Sequence, residues 1–549
     1  MMFETAGEVL NVEISRRYFF YGGLFTGAVP SGGFGSTPSL KALGYKSPNE
    51  KLNLAGIGAG GQPFADLRNA VAGVENVVAL ADVDWKRGGE GFTTWPNAEK
   101  YRDFRQMLDR QGKSIDAVVI GTPDHTHAAA ALACMQLGKH VYVEKPLTRT
   151  PWEARLLTQA AEKYKVATQM GNQGYSHDAT RVACEILWSG EIGEVREVHA
   201  WTGRASWPQG MGKVAAPTAV PDTLDWDLWL GGAAARPFTA GDQEYLDFVA
   251  ARNRSGRGAP GGGGFRGQES FGFYLPFNWR GFYDFGRGLI GDWGVHILGP
   301  ANWALQLSPE SLISVECIKK DSLPPFTFPD ELTIKYEFAA RGSMPPVTVY
   351  WYHAPSGDGF LPPGMTIEEA KKVPNTGPQV GPPPGQGGFM PGSGGGMPAG
   401  RAGGQEAPGG PGGRGGFRPP GSGYNSIFVG SKGYLGTSGR GEGVGLLPGS
   451  RWAEYKLPAP YLSRSPGAST GSNHSAHCRD WIRACKGGAP ACSHFGIAGP
   501  YTQWLLVGAA AVHYEGKLVW DVKKGEVNNN RDANRWVKPQ FRKGWELNL

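Results

Sequence analysis

A lysine set between an acid and a proline, Glu144-Lys145-Pro146, has the composition of a proton-handling site. Pro146 fixes its own φ and confines Lys145 to extended backbone, which aims the side chain. A lysine partly withdrawn from water and close to another cation gives up its proton more readily than one in solvent. Downstream, Asp292 and His296 stand four apart in Asp292-Trp293-Gly294-Val295-His296. On a helix opening at Gly291-Asp292 they would share one face and meet the same substrate. His296 would be a second proton-handling group, with Asp292 binding hydroxyls or orienting the imidazole. The plain structural alternatives are an N-cap for Asp292 and a satisfied buried histidine for His296.

Ahead of the lysine lies Gly56-Ile57-Gly58-Ala59-Gly60-Gly61, a G-x-G-x-x-G with Gly56, Gly58 and Gly61 at its fixed positions. Such a turn brings backbone N–H groups and a helix N-terminus to a dinucleotide pyrophosphate. A lone match means little in a chain with 85 glycines, so its context decides. A strand-like run (Leu52 to Ala55) precedes it, a helix pattern (Gln62 to Val71) follows, and a second apolar run ends in Asp82. Asp82 stands roughly twenty residues past the glycines, where a carboxylate grips the adenosine ribose. That carboxylate favours NAD by accepting from the 2′-hydroxyl, while Lys86 and Arg87 nearby leave NADP possible. Dehydrogenating an alcohol needs a nicotinamide beside the carbon, a base for the hydroxyl proton and a means of orienting the substrate. Lys145 is the candidate base.

The elements that must carry these groups follow from the spacing of apolar runs. Ile115 to Ile120 ends in Gly121-Thr122-Pro123, and His140 to Val143 ends in Glu144-Lys145-Pro146, as buried parallel strands end at a ligand crevice. Thr150, Pro151 and Glu153 spell a capping box for the next helix, and Gly138 stops the alanine-rich helix after Thr126. Val166 to Met170 closes this first unit. Beyond Gly174 come a helix (His177 to Trp188) and strands at Val195–Trp201, Ser311–Lys319, Leu332–Phe338, Val347–His353 and Ser426–Val429. Strands without intervening helices argue for a mainly antiparallel sheet. A helix over Gly499–Tyr514 and a strand over Leu518–Trp520 close the chain. The expected fold class is therefore an α/β Rossmann domain with a parallel sheet, followed by an α+β domain with a large, open, mainly antiparallel sheet. The expected divisions are a leader and linker over 1–46, the nucleotide-binding domain over 47–171, and a substrate and oligomerisation domain over 172–549. Low-complexity insertions near 254–267 and 377–423 interrupt the last; the second is mostly Gly and Pro and cannot bury enough surface to order itself.

Taken together, the glycine turn, Thr122-Pro123-Asp124-His125-Thr126-His127, Glu144-Lys145-Pro146 and Asp292-Trp293-Gly294-Val295-His296 resemble the Gfo/Idh/MocA oxidoreductases. Gly171-Asn172-Gln173-Gly174 and Leu224 to Leu230 resemble an exported bacterial branch of that family. The resemblance implies NAD(P)-dependent hydride transfer at a CH–OH of a sugar, cyclitol or glycoside, and assembly of like chains through the C-terminal sheet. It sets Thr122, Pro123, His127 and Glu144 with Lys145 against the cofactor, and supports Lys145, Asp292 and His296 as catalytic. It implies no metal; His125 and His127 alone form only an H-x-H without a third ligand. Gln173, Trp207 and Trp229 are candidate substrate contacts, with core packing equally open to the tryptophans. Two other functions remain in view. One is a redox-neutral glycosidase or lyase that oxidises, eliminates and re-reduces; hydrolytic relatives depart from Glu-Lys-Pro, which this chain keeps. The other is a non-catalytic binding protein, against which intact Lys145, Asp292 and His296 argue.

The formal charge of +6 is modest, and no Lys/Arg stripe interleaves with aromatics, so nucleic acid is not expected as a partner. Ser15-Arg16-Arg17-Tyr18-Phe19-Phe20 and the uncharged stretch after it resemble a twin-arginine export signal, too broken by Gly and Pro for a membrane span. A periplasmic location is thus expected. Acids at Glu4, Glu8 and Glu13 and the lack of an A-x-A site depart from that pattern. Cys478, Cys485 and Cys492 are evenly spaced, but a seven-residue repeat on a helix is one packed face.

Overall fold

The computed structural model describes residues 50–254, 272–353, 359–366, 369, 424–465 and 473–549. The leader over 1–46 and, Arg254 apart, both glycine-rich insertions lie outside the described residues. The first sheet is built from β1 (Asn53–Ile57), β2 (Asn76–Ala81), β3 (Glu99–Tyr101), β4 (Ala117–Ile120), β5 (His140–Val143) and β6 (Thr168–Met170). All pairings are parallel, in the order β3-β2-β1-β4-β5-β6. The order reverses between β1 and β4, so a crevice opens at the carboxyl ends of the central strands. The glycine turn, Thr122-Pro123 and Glu144-Lys145-Pro146 all lie at that end.

The helices of this layer are α1 (Gln62–Val71), α2 (Gly89–Thr94), α3 (Phe104–Gln111), α4 (Asp124–Gln136) and α5 (Pro151–Tyr164). The capping box at α5 is complete: Glu153 N donates to Thr150 Oγ1 (3.3 Å), and Thr150 N donates back to Glu153 Oε2 (2.8 Å). The second layer holds α6 (Asp178–Trp188) and β7 (Val195–Thr202), then α7 (Gln243–Arg254). Next come β8 (Leu312–Lys320), β9 (Leu332–Phe338), β10 (Val347–His353), β11 (Ser426–Gly430), β12 (Gly433–Thr437) and β13 (Val444–Leu447). The chain finishes through α8 (Asn473–Cys485), α9 (Phe495–Ala511), β14 (Leu518–Asp521) and β15 (Glu526–Val527). The second sheet runs β13-β12-β11-β7-β10-β9-β8-β14-β15 and is antiparallel except where β10 pairs with β7. Along β10 the alternation is strict: Val347, Val349, Trp351 and His353 are buried, and Thr348, Tyr350 and Tyr352 face the other side. Among the described residues no helix is long and apolar enough to cross a membrane.

One helix ties the two layers together. α9 lies against α5 on one side, where a Cβ at Gly499 would strike the Thr158 hydroxyl. On the other side it meets the second sheet. Trp504 packs edge-on against Tyr336 and Phe338, each with ring centroids 5.3 Å away, and Tyr336 donates to the Leu505 carbonyl at 2.8 Å. The start of α9 differs from the sequence expectation. It begins at Phe495 rather than Gly499 because the His494 imidazole accepts from Gly496 N (3.2 Å) and caps the helix before Pro500. The same region completes the edge of the first sheet: Met170 N donates to Ser493 O (3.0 Å), and Phe495 N donates to Thr168 Oγ1 (2.9 Å). Gln169 Nε2 donates to His477 O (2.9 Å), and His477 Nε2 donates to Met170 O (2.8 Å). All six cysteines are free; Cys478 and Cys485 pack in the α1–α8 core, and Cys492 lies beyond the helix.

Candidate active site

The glycine turn has the shape its residues require. Gly58 (φ +94°) and Gly61 (φ +71°) adopt left-handed backbone, and a Cβ on Gly58 would press to 2.9 Å from the Pro63 ring. No side chain caps Gly61, so the first-turn amides of α1 keep their donors for an anion. Asp82 sits beneath, accepting from Ala59 N (2.8 Å) and Asp84 N (2.9 Å). Burial outweighs these bonds and raises its carboxyl to about 6. The Arg87 guanidinium lies against Gly61, where a Cβ would run into it. A turn without side chains, uncapped helix amides and a buried acid with a neighbouring arginine fit a dinucleotide.

Thr122 and Pro123 lead into α4, where the Thr126 hydroxyl donates to Thr122 Oγ1 (2.7 Å). His127 is buried between two carbonyl oxygens, Thr122 O (2.7 Å) and Pro146 O (3.0 Å), and burial lowers its pKa to about 4. Its neutral ring lies between the two crevice loops and donates its single N–H to one of these carbonyls. Glu144 accepts from Lys145 N and from Gln173 Nε2, both at 3.2 Å, which brings Gln173 to the site. Burial, then the charge of Asp66, pushes Glu144 to about 8.

Lys145 reaches across from the first layer to the second. Its Nζ donates to Asp292 Oδ1 (2.6 Å) and Asp292 O (3.2 Å), and both side chains are largely buried. Asp292 belongs to a wide turn of π-helix, Ile290–Gly294, that passes into a short helical stretch, Val295–Ile297. Its carboxylate is engaged with Lys145 and Arg280, not with capping a helix. Burial alone would raise it, but Lys145 and Arg280 outweigh burial and hold it well below the usual carboxylate range. His296 follows on the same segment, buried, with Nδ1 lacking any hydrogen-bond partner. Burial, then the charges of Lys145 and Arg440, keeps His296 neutral.

Residues 51–172 match the profile described as the oxidoreductase family with an NAD-binding Rossmann fold, Gfo/Idh/MocA. Over these residues the chain carries the NAD-binding Rossmann domain of the Gfo/Idh/MocA oxidoreductase family. It is 29% identical over 177 residues to inositol 2-dehydrogenase of Salmonella typhimurium, covering 32% of this chain and 51% of that one. It is 31% identical over 188 residues to inositol 2-dehydrogenase 2 of Saccharopolyspora erythraea, covering 33% and 54%. The chain thus spans about half the length of the curated relatives it matches. The crystal structure of an inositol dehydrogenase homolog with NAD+ from Azotobacter vinelandii superposes with a TM-score of 0.49 at 16% identity, covering 87% of this chain and 99% of that chain.

Two residues of this site are not evident from the sequence. Arg280 donates from Nε to Asp292 Oδ1 (3.0 Å), with its guanidinium 4.1 Å from the Phe277 ring centroid and 4.3 Å from that of Trp279. Its aromatic flanks are visible in sequence, but its partner twelve residues on is not. Asp124 stands in the first turn of α4; burial, partly offset by Arg280, raises it to about 8, so it carries a proton at neutral pH. Trp207 and Trp229 are buried in packing. Trp207 donates to Gln209 Oε1 (2.7 Å) and backs Phe277, while Trp229 stacks on Trp226 at 4.8 Å and touches His125.

Proposed function

We propose that this oxidoreductase transfers hydride between a CH–OH of a sugar, cyclitol or glycoside and NAD. The observation that carries the reading is the 2.6 Å bridge from Lys145, at the end of β5, to Asp292 of the second domain, with His296 on the same segment. Bound nicotinamide supplies the hydride acceptor. Asp292 stays ionised and orients a substrate hydroxyl, Lys145 lies within reach of the same oxygen, and neutral His296 offers a free ring nitrogen to the hydroxyl proton. Arg280 keeps the Asp292 carboxylate in one orientation. The inositol dehydrogenase relatives support polyols as the first substrates to try. The test is a panel of cyclitols, sugars and glycosides with wild type and Lys145→Ala, reading nicotinamide absorbance and product mass together. Turnover of some polyol that is lost in Lys145→Ala supports the assignment, and a mass change without net absorbance change identifies redox-neutral elimination. Equal activity in the variant would reject Lys145 as base.

The reading extends to location. Arg16-Arg17 before Tyr18-Phe19 supports export of the folded chain through a twin-arginine route, with cofactor loaded first and recycled in place. Near-stoichiometric nucleotide released on denaturing dialysed protein from its native compartment is the expected result; an empty, freely exchanging site contradicts it.

A further inference from the structure

A second group of polar side chains converges between α1 and α8, outside the hydride-transfer machinery. Asp66 on α1 is fully buried, and its Oδ2 has no hydrogen-bond partner. Its Oδ1 meets His474 Nε2 and accepts from Gln62 Nε2 at 3.0 Å. Cys478 follows His474 by four residues, about one helical turn, and so shares its face of α8. Its buried Sγ lies 3.7 Å from the Asp66 carbonyl oxygen. One donor atom each from Asp66, His474 and Cys478 falls within 4.8 Å of the others. The adjacent His477 points elsewhere: Ser176 Oγ and the Met170 carbonyl occupy its two nitrogens.

We propose that Asp66, His474 and Cys478 form a zinc site that fastens the nucleotide-binding domain to the second domain. A histidine–carboxylate pair accounts for Asp66 Oδ1 but leaves the buried Oδ2 without a protein partner, which native structures rarely keep unless an ion or water takes it. A zinc ion bound at about 2.0–2.3 Å by oxygen, nitrogen and sulfur sets its donors about 3.4–3.7 Å apart, so the three need to close by only about an ångström. The donor set chooses the metal. A thiolate with an imidazole is too soft for magnesium or calcium and suits zinc. Binding displaces the Cys478 thiol proton to solvent and turns His474 Nε2 from Asp66 to the metal. Thiolate and carboxylate then balance the dication, and water fills the fourth position. The ion has a way in, because the His474 side chain is 24% exposed while Asp66 is closed to solvent. Tyr142 and Trp481, with ring centroids 5.7 Å apart, wall the site on its apolar side.

The test uses the full chain purified without chelator, loaded with zinc and dialysed, with metal measured by mass spectrometry. About one zinc per chain is expected. Replacement by cobalt should give a thiolate-to-cobalt charge-transfer band. Cys478→Ser should abolish that band and weaken zinc binding about 10-fold or more, and Asp66→Asn should weaken binding comparably. NAD(H) binding and circular dichroism report whether each variant is folded. Should Asp66→Asn fail to fold, Cys478→Ser decides, since it keeps the volume and loses only the soft donor. Folded wild type that holds no zinc and shows no cobalt–thiolate band overturns the proposal, as does unchanged zinc affinity in Cys478→Ser.

Discussion

Lys145 and Asp292 come from different domains, so a substitution at either tests the chemistry and the domain contact together. Lys145→Ala should lower kcat roughly 10²-fold while NADH binding survives, since a removed proton acceptor costs that order of rate. His296→Ala should lose a comparable factor, and stopped-flow hydride transfer measures both. Asp82 carries a pH dependence of its own. Its carboxyl titrates at about 6, so above that pH it is charged and repels a 2′-phosphate. As pH falls through about 6 it takes a proton, and the phosphate loses charge as well. The preference for NADH over NADPH should therefore shrink between pH 8 and 5.5, as binding titrations would show; a constant ratio argues against Asp82 as the selector. The residues legible in sequence were those with a neighbour in sequence to betray them: glycines in a turn, Lys145 before a proline, Asp292 four before His296. Arg280 and Asp124 were not: Arg280 is defined by Asp292, twelve residues on in its own domain, and Asp124 by burial and by the charge of Arg280 from the other domain.

At the scale of elements, Thr150 is the clearest single test. Thr150→Ala removes one half of a buried reciprocal cap and should cost about 1–2 kcal/mol in chemical denaturation, with the helix start otherwise preserved. Trp504→Ala should cost more, about 3–5 kcal/mol, because it empties the contact of α9 with Tyr336 and Phe338. The apolar strands of the first sheet were legible because each is a short buried run closed by turn residues. β3 was not: Glu99-Lys100-Tyr101 is polar and is a strand only because β2 lies beside it. β12 and β13 are glycine-bearing strands that gain their conformation from the hairpin on β11, and α7 shows too weak an apolar stripe to stand out.

Across the whole molecule, burial of titratable groups sets how stability responds to acid. Six histidines, His125, His127, His140, His177, His477 and His513, are held by burial at about 3 or 4. Between about 4 and 6.5 the unfolded chain binds protons there that the folded chain refuses, so these sites make stability rise with pH. Asp124 and Glu144 at about 8 and Asp82 at about 6 act in the opposite sense, keeping protons that the unfolded chain has lost. The histidines outnumber the acids below 6.5, and above it Asp124 and Glu144 act in the same sense as His474, whose pKa Asp66 raises against burial. Cofactor-free protein should therefore be most stable near pH 6.5, and a melting series across pH 4.5 to 8.5 that climbs steadily would contradict this. The edge of the first sheet carries a further consequence, for the order of events during synthesis. Thr168, Gln169 and Met170 satisfy their groups with His477, Ser493 and Phe495, which leave the ribosome some three hundred residues later. Until then the nucleotide-binding half waits with an open strand edge and a bare α5 face, and a fragment ending at residue 172 should aggregate rather than fold. The nascent chain cannot finish its first half before it has made its last.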